Sequence, residues 1–333
     1  MKAYDRQVSI KGPAHPRLDA LAILSGAMIA VQARANGELS AAMGNSLQAA
    51  LISFSSGLLI ISIISIFSRR IKDGMQKLYR ASREREIPQW RLFAGMLGGA
   101  FVAIQTNIVP IIGVALYSVA SIAGQALTSL LVDRIGITAG GPKAVSARRV
   151  GAALVTVFAV AVSVADRIDD SEFSFFAVLL AVLAGAFVGV QRALNGQINE
   201  HSGESYATSL LNFIMGTTFL TVFLAGAILF TDLSLSPLPS GPWWIYTGGV
   251  IGVIYIAFTA LIVQHLGVLT FTVLSVGGQL VGSLVLDLVN PETSGQVGWA
   301  LVTGIALTYL GVMVSGERKN GRKRNRKNSH KSA

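Results

Sequence analysis

Residues 25–57 read SGAMIAVQARANGELSAAMGNSLQAALISFSSG, and residues 184–216 read AGAFVGVQRALNGQINEHSGESYATSLLNFIMG. At a constant offset of 159, without a gap, Gly26 falls on Gly185, Gln32 on Gln191 and Asn36-Gly37 on Asn195-Gly196. Gly44 and Ser46 then fall on Gly203 and Ser205, and Phe54 and Gly57 on Phe213 and Gly216. A second block aligns at offset 154, pairing Gly98 with Gly252, Gly113 with Gly267, Gly124-Gln125 with Gly278-Gln279 and Asp133 with Asp287. A third, at offset 147, pairs VGAALVT (150–156) with VGWALVT (297–303). The unit is far longer than the roughly 20–50 residues of a solenoid repeat, so the chain reads as two like halves.

Composition says where those halves reside. The chain is 52% hydrophobic and 13% charged, about half the charge of a typical soluble domain at ~25%. It has no cysteine, which excludes disulfides and thiolate metal sites. The first 19 residues, MKAYDRQVSIKGPAHPRLD, are polar, so no signal peptide is expected and the first apolar segment reads as a retained span.

A spanning helix needs about 20 predominantly apolar residues. Charge-free runs supply them at 39–68, 92–132, 150–165, 173–191, 205–231 and, interrupted only by His265, 233–286. The 41-residue run 92–132 is long enough for two helices, with Pro110 and Gly113 marking a turn. The run 233–286 divides in the same way, with a span from about Trp243, a turn near His265-Leu266-Gly267 and a span ending by Asp287. Runs near 20–36 and 294–315 complete ten, five per half. An odd number of crossings inverts the second half relative to the first, so the halves should be related by a pseudo-two-fold axis in the membrane plane. The expected fold class is an all-α integral membrane protein of ten transmembrane helices in two inverted-topology five-helix repeats. Its segments are a cytoplasmic N-terminal stretch (1–19), a first repeat (20–168), a second repeat (169–316) and a basic cytoplasmic tail (317–333).

Charge placement bears on this independently. With the N-terminus inside, 25 of the 27 Lys and Arg residues fall on inward segments, and only Arg34 and Arg167 on outward ones. A bias of that size in short loops predicts both termini in the cytoplasm. The net charge of +10 and the tail GERKNGRKRNRKNSHKSA raise the question of nucleic acid. The tail has no aromatic residue to stack on bases, so its basic residues read as anchors against anionic lipid headgroups at the cytoplasmic face. Between spans 2 and 3, Ile71, Met75, Leu78 and Tyr79 recur at helical spacing among basic residues, a pattern suited to a short helix on the membrane surface.

Ionisable residues inside spans are the first functional candidates in membrane proteins, and here they are nearly absent. Asp133 and Asp287 end their spans and read as interfacial. Arg34 has Glu38 four residues on, which reads as a local ion pair; the alternative is an arginine that faces a polar cavity and attracts an anion. Uncharged amides remain, and several recur. Gln32 and Asn36 share one helix face, and Gln191 and Asn195 repeat them. Gln125 and Gln279 each follow a glycine in mid-span. Such amides need partners in hydrocarbon: they either hold neighbouring helices together or line a substrate path. Depth ranks Gln125 and Gln279 as central, with Gln32 and Gln191 nearer a cavity mouth or gate. Gly95/Gly99, Gly185/Gly189, Gly248/Gly252 and Gly278/Gly282 fit the G-x-x-x-G spacing of close helix packing. Trp90, Trp243, Trp244 and Trp299 sit at span ends, where an aromatic belt would.

Enzyme readings lack their parts. The four histidines are scattered without an H-E-x-x-H, no two carboxylates share a buried segment, and no G-x-x-x-x-G-K-[ST] is present. No catalytic residue, metal site or cofactor is expected.

The twice-repeated pattern Q-x-x-x-N-G-x-[LI], G-x-S, [SN]-F-x-x-G resembles the YdcZ-like branch of the drug/metabolite transporter (DMT) superfamily, in its fused tandem form, over about residues 20–315. The resemblance implies a ten-helix bundle with a central path formed by the first four helices of each half, and the role of an inner-membrane exporter. Small multidrug members of that superfamily couple to protons through a glutamate in the first helix; this chain has no carboxylate in its first span before Glu38. The function expected is therefore a secondary transporter of a small metabolite or drug-like compound working by alternating access, with Gln125, Gln279, Gln32, Asn36, Gln191 and Asn195 as the substrate path. The alternative is a non-catalytic membrane subunit or channel-like protein whose amides only pack helices. Expected partners are a small-molecule substrate of open identity and the lipid bilayer, with no nucleic acid; a monomer is the expected state.

Overall fold

The structure is a computed structural model, and residues 16–137, 145–167, 173–266 and 268–315 are described. The segment before Pro16, the basic tail 317–333 and the turn residue Gly267 lie outside them.

Apolar runs become helices, with the breaks where backbone chemistry puts them. The elements in order are α1 (Pro16–Met43), α2 (Ser46–Phe67), α3 (Arg69–Arg83), α4 (Ala94–Ile135), α5 (Ala147–Ser163), α6 (Phe175–Ser202), α7 (Ser205–Phe230), α8 (Gly248–Leu266), α9 (Val268–Val289) and α10 (Trp299–Ser315), with short 3-10 turns before α4, α8 and α10. Among the described residues, six helical segments are long and apolar enough to cross a membrane. The repeated G-x-S motif has a structural cause. Gly44 and Gly203 take positive φ (62° and 65°), which turns the chain out of α1 and α6. The residue after each caps the next helix: the Asn45 side-chain Oδ1 accepts from the Gln48 N–H, and the Glu204 carboxylate accepts from the Tyr206 N–H.

α4 is two spans. Its 42 residues would run about 63 Å at 1.5 Å per residue, twice the ~30 Å hydrocarbon core. The break is at Gly113 (φ 81°, ψ 166°), three residues after Pro110, in a region of backbone space open essentially to glycine alone. The chain doubles back there. Phe101 and Tyr117, sixteen residues apart, bring their ring centroids within 6.2 Å. Ala94 at one end of α4 and Ile137 just past the other pack into one apolar cluster. The protein therefore has ten spans: α1, α2, the two arms of α4 and α5, then α6 to α10.

The halves interlock by a two-fold rule. α1 packs on α9 as α6 packs on the second arm of α4, while α2 meets α7 and α5 meets α10. Close approach depends on glycine at matching positions. Gly26 lies against the Ser275 carbonyl and Gly185 against the Ser121 carbonyl; Gly278 lies against the Ile23 carbonyl and Gly124 against the Val182 carbonyl. A Cβ at any of the four would overlap the facing backbone. Every partner in these contacts obeys the 159 or 154 offset, as an inverted repeat requires. The α3 helix departs from the sequence reading. Its apolar face, with Ile71 and Leu78 buried, packs against the second half, Gly74 touching Ala207 of α7, and only Tyr79 of the expected lipid-facing set is exposed. Trp90, Trp243 and Trp299 are exposed at span ends, and Trp244 instead packs beside Leu39 and Met43.

Candidate functional site

A cavity of about 290 Å³ lies between the halves, room for roughly ten water molecules at liquid density. Its lining is the repeat brought face to face. Ile29 and Val188, Gln32 and Gln191, Ala33 and Arg192, Phe54 and Phe213, Phe101 and Tyr255, and Gln125 and Gln279 all line it, and each pair obeys the 159 or 154 offset. The pseudo-two-fold axis therefore runs through the cavity. Phe54 and Phe213 meet across it at 5.5 Å between centroids, so the aromatic walls and the amides alternate around one chamber. Such a surface combines an apolar body with a few directional polar groups, as small-molecule sites do.

The amides separate into two kinds. Gln125 donates only a long 3.3 Å bond to Ser121 on its own helix. Gln279 and Gln32 make no hydrogen bond with the described residues, which leaves their donors and acceptors for whatever fills the cavity. Gln191 instead donates to Asn212 (3.0 Å), and Asn212 donates to Asn195 (2.8 Å), so α6 and α7 are stitched together along the cavity wall. Asn36 is the exception among the expected path residues. It is fully buried, donates to Gln105 at 3.0 Å, and is not part of the lining. Its role is to tie α1 to the first arm of α4, because an amide in hydrocarbon must find a partner.

The depth ranking keeps its order, with Gln125 and Gln279 within about 1 Å of the midpoints of the second arm of α4 and of α9, but the difference is small. α1 and α6 are each 28 residues long, so Gln32 and Gln191 are only about 4 Å past their helix midpoints at 1.5 Å per residue. They share the chamber with Gln125 and Gln279 and do not stand at a separate gate. α1 begins four residues before the expected run, so Asp19 belongs to its first turn, and it does not line the cavity.

Arg34 pairs with Glu38 and lies outside the cavity lining, as the local ion-pair reading had it. Asp133 and Asp287 end their spans as read, but both are buried within the protein and not solvated. Asp133 binds Arg149 of α5. Asp287 of α9 caps the second arm of α4: its carboxylate accepts from the Val114 N–H (3.0 Å) and the Ala115 N–H (2.7 Å), and the Thr293 hydroxyl lies against it. These are the amides left unpaired when the helix breaks at Gly113.

Three cavity groups lacked a recurrence signal. Gln105 aligns with Thr259, Asn212 with Ser53 and Tyr117 with Phe271, so a search for repeated amides passes over them. The Tyr117 hydroxyl is buried beside Gln105 and Ser121, close enough to interact weakly with both, and makes no hydrogen bond of normal geometry with the described residues. A buried hydroxyl without a well-formed bond in a cavity wall fits a ligand contact.

Ten spans in two inverted five-helix halves around a central cavity walled by aromatic rings and amides define a membrane-transporter architecture. The chain matches the family described as "Putative inner membrane exporter, YdcZ" twice, over residues 18–162 and 176–314. It belongs to that family, a DMT-type family of multi-pass inner-membrane transporters and not of enzymes. A search of the curated proteins found no match. Among solved structures it is similar to one titled "Crystal structure of protein", with a TM-score of 0.52 and 17% identity, covering 90% of this chain and 95% of that one. At that identity the likeness concerns the fold alone.

Proposed function

We infer that the chain is a secondary transporter that exports a small molecule by alternating access, with both termini cytoplasmic. The observation that carries this is the position of the cavity on the pseudo-two-fold axis. Each wall has a structural counterpart of opposite orientation, so exchanging the conformations of the two halves moves the opening from one face of the membrane to the other. Substrate is held by the amides of Gln32, Gln125 and Gln279 between the rings of Phe54, Phe213 and Tyr255, with Gln191 and Asn195 in the opposing wall. A neutral amide orients a polar ligand without the desolvation of a buried ion.

Because the chain has no cysteine, single cysteines at Gln125 and Gln279 test this without knowing the substrate. Both should react with a membrane-impermeant thiosulfonate in right-side-out and in inverted vesicles. Reaction from one face only would replace alternating access with a one-sided pocket, and reaction from neither would leave the amides as helix-packing groups.

A further inference from the structure

One lining pair breaks the symmetry of the cavity in charge. Where the first half places Ala33, the second places Arg192. Arg192 is exposed in the wall. The ion pairs of the described residues, Arg34 with Glu38 and Arg149 with Asp133, leave it without a carboxylate partner. Among the described residues the lining holds no Asp, Glu, Lys or His, so they give the wall one positive charge and no carboxylate. Low-dielectric walls focus the field of such a charge and concentrate counter-ions. The planar guanidinium fork matches the paired oxygens of a carboxylate, sulfonate or phosphate. The same lining holds the Gln191 and Asn195 amides, from the same helix as Arg192, and the Phe54, Phe213 and Tyr255 rings.

We propose that the cavity selects a small organic anion with an apolar or aromatic body, its acidic group held by Arg192. The proposal rests on the transport reading and names the substrate class of that site.

The test places a single cysteine at Val188, a lining residue one helical turn from Arg192, in the full-length purified protein, with and without Arg192→Gln. The thiol is labelled with sulfonatoethyl and trimethylammonioethyl methanethiosulfonate. With Arg192 present, the ratio of anionic to cationic labelling rates should exceed that of the Arg192→Gln protein by about tenfold, the scale on which local charge steers ions in a cleft. Benzenesulfonate should protect the thiol better than benzenesulfonamide or benzamidine, and Arg192→Gln should abolish that advantage. An unchanged rate ratio, or protection by benzamidine equal to that by the sulfonate, overturns this inference alone. Failure of both reagents to label from either face of vesicles overturns the transport reading and this inference with it.

Discussion

Removing the carboxylate of Asp287 should destabilise the protein at its middle. Asp287→Ala deletes two charge-assisted acceptor bonds, to Val114 N at 3.0 Å and Ala115 N at 2.7 Å, and leaves both amides buried. At about 1.5–3 kcal/mol per bond to a charged group, the loss is about 3–6 kcal/mol. For a chain of this length about 2 °C accompanies each kcal/mol, so the thermal midpoint in detergent should drop by roughly 6–12 °C. Glu292→Gln, an exposed change five residues away, should move it by about 1 °C or less, as surface substitutions do. Gly113→Ala supplies the second arm of a cycle. It forces a side chain into a glycine-only backbone region, at about 1–3 kcal/mol, and sets its Cβ 2.7 Å from an Asp287 oxygen. Without the carboxylate that collision disappears, so the double variant should be more stable than the sum of the singles by about 0.5–3 kcal/mol. Midpoints are read from the fraction of protein that stays monodisperse on size exclusion after heating. Strict additivity, or an Asp287→Ala midpoint within the Glu292→Gln shift, would refute the capping role.

Gln125→Ala and Gln279→Ala should each leave folded protein in the membrane, and each should cut transport at least tenfold once a substrate is in hand, since a lost hydrogen bond of about 1.4 kcal/mol corresponds to a factor of ten; normal transport by both would make these amides structural. Asn36→Ala strands the buried Gln105 amide and should lower stability by about 1–3 kcal/mol while cysteines at Gln125 and Gln279 keep their labelling rates; a slowed label would draw Asn36 into the path. Gly26→Leu and Gly185→Leu, whose side chains would enter the Ser275 and Ser121 carbonyls, should each deplete folded protein in membranes to a few per cent, measured by fluorescence-detected size exclusion; an unaffected yield would contradict the close helix contacts. Reporter fusions after Ser240 and at Ala333 should register opposite sides of the membrane, and both on one side would overturn the topology.

What the sequence made legible was what recurs. Gln32, Gln125, Gln191 and Gln279 announce themselves because two copies keep them, and charge runs bound the spans because lysine and arginine are excluded from hydrocarbon. The break inside α4 could be read from Pro110 and Gly113, since a single helix of that length has no place in a bilayer. The partner of that break could not: Asp287 lies 173 residues from Val114 in sequence, and span-end position alone cannot separate a cap from a solvated carboxylate. The second face of α3 was invisible for the same reason, because an apolar stripe among basic residues serves a lipid surface and a protein neighbour equally well. Gln105, Asn212 and Tyr117 escaped because each has a different residue at its repeat position, so their importance lies in the three-dimensional chamber and in no pattern along the chain.

The cavity on the two-fold axis sets a parity rule for its own chemistry. Two identical five-helix subunits closing around the same axis could present any side chain only an even number of times, so an arginine in the wall would face its twin across a chamber of about 290 Å³. Two guanidiniums at that range repel, and each disfavours the charged form of the other. Joining both copies in one chain lifts the constraint, because position 33 can remain alanine while position 192 becomes arginine. An odd charge in the binding chamber is open to the single-chain form and closed to the symmetric dimer.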